Sequence, residues 1–232
     1  MRYEEFLSSK FAPSVSDGFQ AEPPEQGLFP FQRDLIRWAA ARGRAALFAD
    51  TGLGKSRMQL AWAKLVTDHV RGDILILAPL AVAAQTVREG ETIGIRVTLC
   101  RDGADVQSGI NITNYERLHR FDPTRFVGVV LDESSCIKHH DAKTLATLIS
   151  AFAKTRFKLC ATATPAPNDY TELGTHAEFL GVCSRMEMLS EFFVHDSGET
   201  QTWRLKGHAR EHFWRWVASW GALVKTPERP RT

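Results

Sequence analysis

Ten residues, 47–56, restrict this chain more than any others: LFADTGLGKS. The stretch begins apolar, like the end of a buried strand, and passes through Asp50, Thr51, Gly52, Leu53 and Gly54 to Lys55 and Ser56. Glycines let a backbone curl until several amide hydrogens point inward. A lysine adds positive charge, and a serine hydroxyl can hold the divalent cation that travels with a phosphate chain. Met58, Ala61, Trp62 and Leu65 then recur at i, i+3, i+4 and i+7. An amphipathic helix therefore follows, its partially positive N-terminus aimed at the same anions. This is the Walker A pattern, with Ala49 where the first glycine usually stands.

The rest of the chain alternates in the same way. Apolar runs of strand length fall at 45–49, 74–78, 95–99, 110–113, 126–131 and 157–161. Segments 55–69, 79–90 and 142–153 have helical periodicity, and Phe31, Leu35 and Trp38 mark a helix starting just after Pro30. Strands apolar on both faces, alternating with helices, predict an α/β fold with a mostly parallel sheet covered on both sides. After residue 170 the pattern changes. Residues 192–195, a turn at 196–199 and residues 200–206 read as a β-hairpin. Phe213, Trp216, Val217, Trp220 and Val224 read as an aromatic helix over 208–224 that packs on the core. The expected organisation is an arm or linker over 1–27 with a short helical turn near 3–7, a lobe over 28–185, a hairpin-and-helix extension over 186–226, and a tail over 227–232.

Composition narrows the class. Apolar residues at 44% and charged residues at 24% allow a sizeable core, and a net charge of +2 leaves any basic surface local. No apolar run is long enough to span a bilayer, and the N-terminus lacks the basic and apolar regions of a signal peptide, so no membrane partner and a cytoplasmic location are expected. Cys100, Cys136, Cys160 and Cys183 are scattered without a C-x-x-C pair, which argues for reduced thiols. His139, His140 and Asp141 read as a solvated loop or helix start rather than a metal site.

A phosphate loop becomes a hydrolase only with further parts. Residues 127–135, VGVVLDESS, run an apolar strand directly into Asp132 and Glu133. In a parallel sheet that strand ends on the same edge as the phosphate loop, where ligands bind. Asp132 is placed to hold Mg²⁺ together with Ser56, and Glu133 to polarise the water attacking a γ-phosphate. One carboxylate cannot bind the metal and also stay free as a base.

With these motifs the sequence resembles the superfamily-two helicases and translocases, closest to the Swi/Snf-like branch and related phage DEAD/DEAH-type proteins. The resemblance covers roughly residues 28–180. It implies a RecA-like P-loop lobe using ATP and Mg²⁺, with Lys55 and Glu133 catalytic. It implies ATP contacts from Gln32 (the glutamine motif, after Pro30 and Phe31) and from Thr51, Gly52, Leu53, Gly54, Lys55 and Ser56. Pro79, Leu80, Asn114 and Tyr115 would line a nucleic-acid track, and Thr162 and Thr164 of the Thr-Ala-Thr-Pro motif would couple the nucleotide to that track. Ser134 and Ser135 depart from the usual tail of the Asp-Glu motif. The resemblance also implies DNA as partner in preference to RNA, and a phage or prophage setting in a bacterial cytoplasm.

Relatives carry a second RecA-like lobe whose arginines complete the site. No Q-x-x-G-R-x-x-R pattern occurs here, and there is no room for another ~150 residues of lobe. A separate second lobe, or self-association, is expected to complete the motor. Two alternatives stay open: a nucleotide-gated module that binds DNA or a partner without turnover, and a small phosphate-loop kinase. The absence of an arginine-rich lid and the helicase order of motifs count against the kinase.

Overall fold

The computed structural model describes residues 18–139, 142–195 and 203–225. The helical turn read near 3–7, His140 and Asp141, the hairpin turn at 196–199 and the tail 227–232 lie outside the described residues.

Helix α1 (Pro30–Arg42) starts on a proline, whose missing N–H costs nothing in a first turn, and stops at Gly43 with φ 74°. Strand β1 (Arg44–Ala49) leads through the phosphate loop into α2 (Lys55–Val70). There follow β2 (Asp73–Ala78), α3 (Leu80–Thr92), β3 (Val97–Leu99), β4 (Ile110–Asn114), β5 (Phe126–Asp132), α4 (Ala142–Ala151) and β6 (Phe157–Thr162). The chain continues with α5 (Leu173–Leu180), α6 (Arg185–Phe192), β7 (Phe193–His195), β8 (Trp203–Leu205), α7 (Arg210–Trp220) and β9 (Gly221–Val224).

Seven strands form one sheet in the order β3-β4-β2-β5-β6-β1-β9, every pair parallel. Two apolar clusters cover its faces. Ile36, Met58, Trp62 and Val66 of α1 and α2 pack on one side. Phe152, Phe179, Phe192, Phe213 and Trp216 pack on the other. Burial on both faces is why these strands read as continuous apolar runs. Strands β7 and β8 pair antiparallel as the expected hairpin. No helix of the described residues is long and apolar enough to cross a membrane, and none of the four cysteines is in a disulfide. Part of the segment read as an arm packs on the lobe: Phe19 stacks on His69 at 3.9 Å and meets Phe157 edge-on.

Two expectations need correction. The aromatic helix does not run to Val224; it ends at Trp220, and the next four residues form β9 beside β1. Without β9, the outer edge of β1 would carry unpaired backbone groups. Gly221 permits the close approach, since a Cβ there would lie 3.0 Å from the Phe48 ring. The region after 170 also contains α5 and α6, which the apolar pattern did not reveal. Phe192, read as the first hairpin residue, closes α6.

Aromatic packing holds the extension to the lobe. Phe213 is fully buried, with the rings of Phe192, Phe193 and Trp216 at 5.3–5.8 Å. Replacement Phe213→Ala is expected to cost about 3–5 kcal/mol in urea unfolding. At the opposite edge of the sheet from the phosphate loop, the buried Lys158 Nζ donates to Phe179 O at 2.9 Å. Burial lowers its amine to about 8 from the ordinary 10.5. Between those two values the unfolded chain holds a proton that the folded chain has released, so this group's contribution to stability rises with pH there. The stability difference between the parent and Lys158→Met should therefore move in the parent's favour from pH 8 to 10.5.

Candidate functional site

Because all seven strands are parallel, the loops after β1, β2, β4, β5 and β6 emerge along one edge. The phosphate loop, the segments at Pro79–Leu80 and Asn114–Tyr115, the Asp132–Glu133 pair and Thr164 fall there, and Gln32 reaches the first of these from α1. The phosphate loop bends through Gly52 at φ 86° and Gly54 at φ 75°, a region in which glycine alone is at ease. Its Lys55 Nζ donates to Ala49 O (2.9 Å) and Asp50 O (3.3 Å), which keeps the ammonium over the inside of the loop. Helix α2 begins at Lys55 and brings its free N–H groups to the same place.

Gln32 braces this loop from α1. Its Nε2 donates to Leu53 O at 2.8 Å, and its Oε1 accepts from Phe29 N–H at 2.8 Å. Both ends of the amide are thus engaged by the chain itself, and the side chain is buried. Thr51 and Gly52 stand exposed at the tip, while Leu53, Gly54 and Ser56 are half-buried.

Strands β1 and β5 are separated by β6, so Thr162 at the end of β6 stands between the phosphate loop and the acidic pair. The register pairs Phe48 with Thr162 and Asp132 with Ala161. Thr162 Oγ1 donates to Glu133 Oε1 at 2.7 Å, and Ser135 Oγ donates to the same oxygen at 2.9 Å. Thr164 extends the chain: its Oγ1 donates to Ser135 Oγ at 3.4 Å, and its N–H donates to Thr162 Oγ1 at 3.1 Å. Glu133 is held with φ 49°, a left-handed backbone that costs a residue with a Cβ on the order of 1–3 kcal/mol. Ser135, one of the two serines that depart from the usual motif, thus hydrogen-bonds the glutamate's carboxylate.

Asp132 is nearly buried. Burial pushes its carboxyl above the ordinary value, opposed by hydrogen bonds from Gln59 and the Glu133 N–H. Oδ1 takes both of those bonds, at 2.6 and 3.0 Å, whereas Oδ2 is buried with no hydrogen-bond partner among the described residues. An idle, buried carboxylate oxygen fits a hard cation such as Mg²⁺.

The four residues read as a nucleic-acid track share this edge but differ in exposure. Leu80 is exposed and Pro79 half-buried, whereas Asn114 is buried. Tyr115 is turned inward, its hydroxyl donating to Asp132 O at 2.8 Å, and burial raises its phenol well above the ordinary value. Sequence reasoning missed Gln59 and His176; His176 Nε2 lies 3.0 Å from Ser134 Oγ in the buried layer under the acidic pair. Beside the phosphate loop a cavity of about 790 Å³ opens between Asp50, Thr164, Pro165, Tyr170, Trp214 and Leu223.

Comparison with known proteins bears on the family and the fold. The family model for the SNF2-related domain matches residues 31–195. No curated protein matches the chain. Among solved structures, the SWI2/SNF2 ATPase core of Sulfolobus solfataricus in complex with dsDNA is similar at TM-score 0.72 and 19% identity, covering 90% of this chain and 47% of that one. A second structure, of the Sulfolobus solfataricus SWI2/SNF2 ATPase core domain, gives TM-score 0.69 at 19% identity, with 94% and 47% covered. The UvsW helicase of bacteriophage T4 gives 0.57 at 14% identity, with 78% and 66% covered. The chain spans about half the length of the SWI2/SNF2 structures it matches.

The bracing of the loop can be tested directly. A Cβ on Gly54 would lie 2.3 Å from Gln32 Nε2 in addition to its positive φ. Gly54→Ala should destabilise the fold by about 1–3 kcal/mol. In a Gln32→Ala background the same change should cost measurably less, which a double-mutant cycle in urea would read.

Proposed function

Since the chain belongs to the SNF2-related domain family, we propose that it is the ATP-binding lobe of an ATP-dependent DNA translocase or helicase, incomplete without a second lobe. The observation that carries this reading is the joining of Glu133 to Thr162 and Ser135 at the sheet edge that also bears the phosphate loop. A phosphate cradle alone would only bind. A glutamate held one strand spacing from the motif that faces the neighbouring loops can both turn over ATP and report its state.

In this mechanism the amides of residues 51–55 and the Lys55 ammonium take the triphosphate. Ser56 Oγ and Asp132 Oδ2 would hold Mg²⁺, whose charge would offset the negative charge of the transferring phosphoryl group. Glu133 orients the attacking water and takes its proton. Thr162 and Ser135 fix which carboxylate oxygen remains free for that work, since both donate to Oε1. Any shift of Glu133 on hydrolysis is felt by Thr164 through Ser135. The loops from Pro79, Leu80, Asn114 and Tyr115 then pass that movement to a nucleic-acid backbone, with Leu80 as the exposed contact. DNA binding through phosphates would be salt-sensitive and nearly indifferent to sequence.

In this reading the nucleotide site of the lobe is completed by groups from a second lobe packed against it. An arginine supplied across the cleft contributes ~10³ or more in rate. These 232 residues alone are therefore expected to bind ATP–Mg²⁺ and turn it over slowly, with turnover rising when a second lobe is added. The deciding measurement is ATP hydrolysis with and without DNA, beside Lys55→Ala and Glu133→Gln. Loss of nucleotide binding in the first, and a ~10²-fold or greater loss of turnover with binding kept in the second, supports a motor lobe. DNA binding that responds to ATP without turnover, even with a second lobe present, would make it a nucleotide-gated module. No ATP binding at all would end both readings.

A further inference from the structure

Gln59 belongs to none of the motifs, yet it is fully buried at the heart of the site. It lies on α2 one turn beyond Ser56, and its Nε2 donates to Asp132 Oδ1 across 73 residues of sequence. The Glu133 N–H gives that oxygen a second bond. One carboxylate oxygen is thus saturated while the other, Oδ2, is buried and idle among the described residues. Gln59 Oε1 is buried and idle as well. The linked pair therefore has two unused acceptors. Each destabilises the fold if left so. A cation with its coordinated waters answers both, offering charge to a carboxylate oxygen and an O–H to an amide oxygen.

We infer that Gln59 is a positioning residue for the divalent cation of this site, its amide fixing Asp132 so that Oδ2 is presented and its Oε1 accepting from a metal-bound water. The inference rests on the nucleotide-site reading above. Helix α2 then acts twice, since the helix whose N-terminus receives the phosphates also orients, from its second turn, the carboxylate that meets their metal. A glutamine that only packed would need a partner for each end of its amide, and among the described residues this one has a partner for one end only. The charged groups nearest the pair are Glu133 and Lys55, both of which act on Asp132.

The test uses the whole chain and a fluorescent ATP analogue, titrated with Mg²⁺ and, separately, in excess chelator. Gln59→Met preserves volume and removes both amide functions. Its binding in chelator should match the parent, while the Mg²⁺ concentration at the midpoint should rise about 10–100-fold, the usual effect of losing a group behind a metal ligand. Gln59→Asn, too short to reach Asp132, should shift the midpoint the same way and serves if the methionine variant does not fold. An unchanged Mg²⁺ midpoint in a folded variant overturns the inference, as does an equal loss of binding with and without Mg²⁺. If binding by the parent ignores Mg²⁺ altogether, the nucleotide-site reading fails and this one with it.

Discussion

Parallel pairing of β5, β6 and β1 is the constraint on which the site depends. Adjacent strands can lie only about 4.8 Å apart, and parallel strands end on the same side. An acidic pair, a threonine and a phosphate loop that are distant in sequence are therefore set in a row by backbone hydrogen bonds alone. Side chains supply only the last step, in which Thr162 and Ser135 reach Glu133 and Gln59 reaches Asp132. The register that pairs Asp132 with Ala161 and Phe48 with Thr162 thus fixes chemistry as well as packing.

Much of this was legible because it is local. A strand buried on both faces is a continuous apolar run, and an amphipathic helix repeats within two turns. Strands β1 to β6 and the helices around the phosphate loop accordingly fall where the pattern puts them. What could not be read depends on partners far along the chain. The spacing of Trp216, Val217, Trp220 and Val224 satisfies a helix, and only the unpaired edge of β1 makes the last four residues a strand instead. Helices α5 and α6 were hidden in a region without a clean stripe. Even so, Ser184 and Glu187 form a reciprocal cap at the start of α6 that the order Ser-x-x-Glu announces. Gln59 reads as one more polar residue of an amphipathic helix, and Ser135 as a departure from a motif. Their roles exist only once the sheet has brought the acids to them.

The site is expensive to build. Asp132, Ser134, Thr162, His176 and Gln59 are polar and buried, and Glu133 carries a left-handed backbone. Two apolar clusters on opposite faces of the sheet offset that cost, with Trp62 filling one and the Phe192, Phe213 and Trp216 rings the other. The aromatic helix therefore serves the site from a distance, by adding buried area where no chemistry is done. Lys158 is another polar group carried inside, at the far edge, where it caps the last turn of α5 through Phe179 O.

Strand β9 has a consequence for the order of assembly. Strand β1, which ends in the phosphate loop, gains its outer neighbour only from residues 221–224, and Arg42 just before it reaches Ser219 across 177 residues. A chain made from its N-terminus must hold β1 half-paired until residues 221–224 have been synthesised. Closing so long a loop is slow, and an exposed strand edge invites wrong pairing meanwhile. Lengthening the delay, by slowing translation after α7 for instance, would prolong the interval in which the most functional strand of the sheet is also its most vulnerable.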